Sequence, residues 1–152
     1  MDLKFRFHSF SPPKRFFGSL PETRQWIATR IKVTLKFKKE EKWDQNSYRF
    51  ILDTGAYVSI APDYLLERLA IKPVFDGHIH GIIDKEECEI QVKVAYLDFK
   101  FIDDNGNESS EQKGWFAFHP MQNGPLLLGM NGIFQNLGIS KKSGSNDFIL
   151  KA

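Results

Sequence analysis

One cysteine, no long apolar run and no internal repeat: each shortage narrows what this 152-residue chain can be. The lone thiol, Cys88, forms no intramolecular disulfide, so a reducing, cytoplasmic setting is expected. No apolar stretch approaches the length of a bilayer-spanning helix, and Met1-Asp2-Leu3-Lys4-Phe5-Arg6 lacks the apolar segment of a secretory signal. Metal-ligand spacing is thin as well, limited to the pair His78 and His80, and neither a metal nor a cofactor is expected.

What is present is one domain's worth of chain, with 41% hydrophobic and 26% charged residues. Fourteen Phe, three Trp and four Tyr lean it toward β structure, where aromatic rings pack on pleated surfaces. The net charge of +2 conceals an asymmetry. The first 42 residues carry 11 Lys/Arg against 4 Asp/Glu, and the remaining 110 carry 10 against 15. Within the basic part, Lys4, Arg6, Lys14 and Arg15 interleave with Phe5, Phe7, Phe10, Phe16 and Phe17, and Pro12-Pro13 interrupts regular structure. The expected organisation is a basic aromatic arm over 1–24 and a domain over 25–152. A solvated face explains the charge more simply than a nucleic-acid site, so nucleic acid is not expected as a partner.

Period-two alternation dominates the chain and is clearest in Ile31-Lys32-Val33-Thr34-Leu35-Lys36-Phe37-Lys38. A polar turn over 40–47 leads to a second strand over 48–52, and the pair reads as a hairpin. Helical spacing follows from Pro62 to Leu69, with Pro62 early and Asp63 near the positive end. Glycines at 77 and 81 around His78-Ile79-His80 suggest a mobile hairpin. The long β segment expected over 88–102 changes apolar parity near Ala95, which implies a bulge or a strand bending between two sheets. Residues 103–110 read as a solvated hairpin tip. Strands are then expected over 114–119, 126–128 and 147–150, with a helical turn over 131–137.

Asp53-Thr54-Gly55-Ala56 stands out because it places a carboxylate at the end of an apolar strand, where an unpaired charge is costly. Such a run also suits an Asx turn closing the strand. With Phe50-Ile51-Leu52 before it, Ser59 after it and Leu127-Leu128-Gly129-Met130-Asn131 far downstream, it resembles the retropepsin-like aspartic proteases, in particular their cellular single-domain type. The resemblance implies a mainly β, closed barrel with one or two short helices, acting as an aspartyl endopeptidase on peptide or protein substrates. It assigns Asp53 as the catalytic acid/base and Thr54, Gly55 and Ala56 as the active-site loop. It further implies a substrate-covering flap at His78, Ile79, His80, Gly81 and Ile82, and structural support from Ser59, Leu128 and Gly129.

One Asp-Thr-Gly in so short a chain implies a homodimer, because this chemistry needs two carboxyls sharing a proton, one polarising the scissile carbonyl while the other activates water. Tyr57 and Met130 stand where viral members carry an Asp and an Arg that bridge elements near the dimer interface, so both charges are missing together. Two other readings compete. One is a non-catalytic module of the same fold that binds protein or nucleic acid through the basic arm. The other is a metal-dependent hydrolase using Asp53, His78 and His80.

Overall fold

The computed structural model describes residues 1–10, 28–53, 55–80, 89–131, 137–141 and 147–151. Among the described residues, eleven strands and one short helix follow in chain order: β1 (Asp2–Phe10), β2 (Ala28–Lys39), β3 (Lys42–Trp43), β4 (Tyr48–Leu52), β5 (Ser59–Pro62), α1 (Tyr64–Arg68), β6 (Phe75–Ile79), β7 (Ile90–Ile102), β8 (Gln112–His119), β9 (Leu127–Leu128), β10 (Gly138–Lys141) and β11 (Asp147–Lys151). Pairing runs β2-β4-β9-β5-β8-β7, and β7 pairs back with β2, so six strands close a barrel. This is the mainly β, closed architecture with a short helix that the sequence predicts. Closure removes free edges from the six strands, leaving β6 attached outside β7 and β1, β11 and β10 outside β2.

The alternation in β2 does what period two requires: Val33, Leu35 and Phe37 are buried, while Lys32, Thr34, Lys36 and Lys38 alternate with them and are half-exposed. Inside, Phe37 meets the rings of Phe50, Phe99 and Phe116 at centroid distances of 5.9, 6.3 and 5.4 Å. Each ring comes from a different barrel strand, so this cluster ties β2, β4, β7 and β8 together. Burying one such side chain contributes about 2–3 kcal/mol. On the outside, Lys36 and Lys100 pair with Glu108 at 3.1 and 3.3 Å, and Lys38 pairs with Glu111 at 3.4 Å. The cationic face of β2 is therefore matched by carboxylates.

At Ala95 the parity change is real, and it resolves in favour of a bend. The β7–β8 register runs unbroken from Lys93↔Phe118 to Phe99↔Gln112, with no bulge. Instead, Ile90, Val92 and Val94 join a small cluster with Ala117, while Ala95, Leu97, Phe99 and Phe101 face the main core. Accordingly β6 pairs with the first part of β7 and β2 with its last part.

Three local expectations change. Residues 2–10, counted in the arm, form β1, which pairs with β11 and then β2, with Leu3 and Phe5 fully in the core. Residues 11–27 lie outside the described residues. Pro62 ends β5 opposite His119 instead of starting the helix, which is confined to five residues with Leu65 and Leu66 buried. Phe75–Ile79 pairs antiparallel with β7 over five positions and stays largely exposed, as one arm of the expected hairpin, while residues 81–88 lie outside the described residues. The tip over 103–110 is only partly solvated, because Asp103 and Ser109 are buried. The helical turn over 131–137 falls largely outside the described residues.

Candidate active site

Asp53 leaves the barrel at the end of β4, and its position is fixed by the backbone. β9 lies parallel to β4, with Ile51 N–H donating to Leu126 O at 2.8 Å and Asp53 N–H donating to Leu128 O at 3.0 Å. The loop that follows turns back at once, with Ala56 N–H on Asp53 O at 3.2 Å and Gly55 N–H on Asp53 Oδ1 at 2.9 Å. Locally this is the Asx turn the residue types allow.

Beyond Leu128 the chain crosses that loop. Gly129 N–H donates to the buried Ser59 Oγ at 3.0 Å, Met130 N–H to Ala56 O at 2.9 Å and Asn131 N–H to Tyr57 O at 2.8 Å. The crossing explains the glycine, since a Cβ at Gly129 would lie 2.5 Å from both the carbonyl carbon and oxygen of Val58. No side chain fits there. Gly129, Ser59 and Leu128 thus act together on the loop that carries Asp53, and Thr54 lies outside the described residues.

Asp53 is half-buried and opens on a cleft of about 630 Å³. Gly55, Ala56, Tyr57, Val58 and Ile60 line one part, and His78, Ile79 and His80 at the end of β6 line another. Residues far apart in sequence, singled out as catalytic loop and flap, therefore share one recess. Gly81 and Ile82 lie outside the described residues. The cleft also contains Pro125 and Leu127, which with Ile51, Leu52 and Asp53 border a second recess of about 330 Å³. Leu127 belongs to a strand legible in the sequence, whereas nothing in the pattern marks Pro125, Val58 or Ile60 as lining residues.

Asp53 is the sole carboxylate lining the larger cleft among the described residues. His78 Nδ1 and His80 Nε2 lie 3.7 and 3.9 Å from a carboxylate oxygen of Glu89, an acidic neighbour set by the antiparallel β6–β7 register. No group of three or more His, Cys, Asp or Glu able to hold a metal ion occurs among the described residues. Nor is any described helix long and apolar enough to cross a membrane. The chemistry on offer is that of a carboxylate in a cleft lined by Val58, Ile60, Ile79, Pro125 and Leu127 together with His78 and His80.

No family model matches this chain, and no curated protein matches it in sequence. Among solved structures it is similar to a retropepsin-like aspartic protease from Rickettsia conorii, at 14% identity and a TM-score of 0.42, over 78% of this chain and 97% of that one.

Proposed function

We propose that the protein is an aspartic endopeptidase in which Asp53 of one chain and Asp53 of a second copy share a proton and activate a water against a peptide carbonyl. The observation that carries this reading is the placement of Asp53: held through its backbone by Leu128 O, bound at one carboxylate oxygen by Gly55 N–H, and open to a cleft with no other acidic lining residue among those described. One carboxylate cannot serve as acid and base at once, and no other described residue lining the cleft is acidic, so this reading draws the second carboxylate from another copy of the chain. Tyr57 and Met130, 78% and 39% exposed beside the loop crossing, offer that second copy an apolar contact where an ion pair is missing.

In this arrangement the proton stays with one carboxyl because two like charges in contact cannot both persist. The protonated group polarises the substrate carbonyl, and the ionised one takes a proton from water. The apolar lining of Val58, Ile60, Ile79, Pro125 and Leu127 receives the substrate chain. Lys4, one of the arm cations on which the binding-module reading relies, pairs with Asp147 at 2.9 Å, and its strand is built into the sheet beside β11.

The test is a subunit-mixing experiment with a fluorogenic peptide library. Wild-type protein should cleave and Asp53→Asn should not. Added in excess, Asp53→Asn should also poison wild-type chains in proportion to the mixed dimers formed, as sedimentation measures. Retained cleavage by Asp53→Asn, or wild-type activity indifferent to the inactive partner, rejects the shared site.

A further inference from the structure

Away from the Asp53 loop, one imidazole is fully enclosed and bound to the wall of the cleft. His119, the last residue of β8, has no exposed surface, and its Nε2 lies 3.2 Å from the carbonyl oxygen of Pro125. Its Nδ1 is buried without a hydrogen-bond partner among the described residues. A carbonyl oxygen only accepts, so this contact is a hydrogen bond in the tautomer that carries its proton on Nε2. The backbone against the ring is equally constrained. A Cβ at Gly124 would fall 2.0 Å from His119 Cε1 and 2.7 and 2.9 Å from the two ring nitrogens. With Gly124 N–H also donating to Met121 O at 3.1 Å, the link between β8 and β9 folds back onto the side chain of the residue that starts it.

That link has prolines at 120 and 125, neither of which has a backbone N–H to give. The imidazole supplies a side-chain donor to this link, and the absence of a Cβ at Gly124 leaves room for its Cε1. The residues it holds matter to the cleft. Pro125 and Leu127 line it, Leu126 O accepts from Ile51 N–H, and Leu128 O accepts from Asp53 N–H.

We infer that His119 is a positioning residue: by fixing the Pro125 carbonyl, it sets the wall of the substrate cleft and the register of β9 against the strand that carries Asp53. The functional half of this inference rests on reading that cleft as a substrate site.

Three measurements test it. In the wild-type protein, correlation spectra of the histidine ring nitrogens should show His119 protonated on Nε2; a proton on Nδ1 instead would overturn the proposal without any variant. His119→Phe keeps a flat ring and removes the donor, so KM should rise about fivefold with kcat changed by less than about twofold, the size expected for one neutral buried hydrogen bond. Amide exchange at Ile51 should quicken by a similar factor, and His119→Gln, which restores a donor, should recover most of both effects. Wild-type KM and wild-type Ile51 exchange in His119→Phe would sink the inference. If the protein hydrolyses no peptide, ring tautomer and Ile51 exchange still decide whether His119 holds β9, so failure of the peptidase reading is distinguishable from failure of this one.

Discussion

Two strands of this barrel run into an aspartate that closes an Asx turn, and the same local turn serves opposite ends. Asp53 follows β4 and Asp103 follows β7, and in each the Oδ1 accepts the N–H two residues on, from Gly55 at 2.9 Å and Asn105 at 2.9 Å. There the likeness stops. Asp103 also accepts from Asn107 N–H at 2.8 Å, the Asn107 amide at 2.9 Å and Lys4 N–H at 3.4 Å, and is only 6% exposed. Asp53 has the Gly55 N–H as its carboxylate's one hydrogen bond among the described residues, and the rest of the group opens on the cleft. An Asx turn is therefore neutral as to role. A carboxylate saturated with donors is a fastener, and one left with open lone pairs is available to a ligand.

The comparison breaks most visibly at Asp53. Asp53→Asn should reduce kcat by about a thousandfold or more, the scale of losing acid/base catalysis, while the melting temperature moves little. Next in size is Gly129→Ala, which forces a methyl into the Val58 backbone and should cost about 3 kcal/mol in urea unfolding, with activity falling alongside because the Asp53 loop is displaced. Asp103→Asn should invert the Asp53 result, costing about 2 kcal/mol of stability through lost charge-assisted hydrogen bonds and leaving kcat unchanged. If Asp103→Asn impaired catalysis while Asp53→Asn impaired folding, the two roles would have to be exchanged.

The barrel was legible where side-chain period and partner agree. Alternation in 31–38 marks a face that is buried in fact, and the parity change at Ala95 is visible because each half of β7 serves a different cluster. The same alternation runs through Leu3, Lys4, Phe5 and Arg6, yet the basic charge and Pro12-Pro13 pointed to an arm; β11, the strand that buries Leu3 and Phe5, lies at the far end of the sequence. Asp53 was legible because an apolar strand ending in a carboxylate is expensive. Asp103 was not, since Asp-Asp-Asn-Gly-Asn has the composition of any surface turn and its burial depends on β1 arriving beside it. His119 had no sequence signal at all: its partner is a main-chain oxygen, brought near only by the fold of the loop.

The smallest expected effect is on the acid side of the stability profile. At Asp103, burial pushes the carboxyl up, but the Asn107 side chain and the N–H groups of Asn107, Lys4 and Asn105 outweigh it and hold the group below its ordinary value. Glu108 is also held low, first by the Lys36 ammonium, against some burial, and then by Lys100. A carboxyl whose folded pKa is lowered stabilises the fold fully above its unfolded value of about 4, and that contribution is lost as pH falls through the lowered folded value. Urea midpoints measured from about pH 6 down to pH 2 should therefore decline on the acid side in the wild type and decline less steeply in Asp103→Asn. Glu108→Gln should flatten the profile by a smaller amount, because the Glu108 side chain is 37% exposed and solvent screens its ion pairs. An equally steep acid limb in Asp103→Asn would mean that the Asp103 carboxylate charge is not what fastens β1 to the 103–110 turn, leaving the Asp104 N–H bond to Lys4 O at 3.2 Å and the Arg6 N–H bond to the Asp104 carboxylate at 2.9 Å to do so.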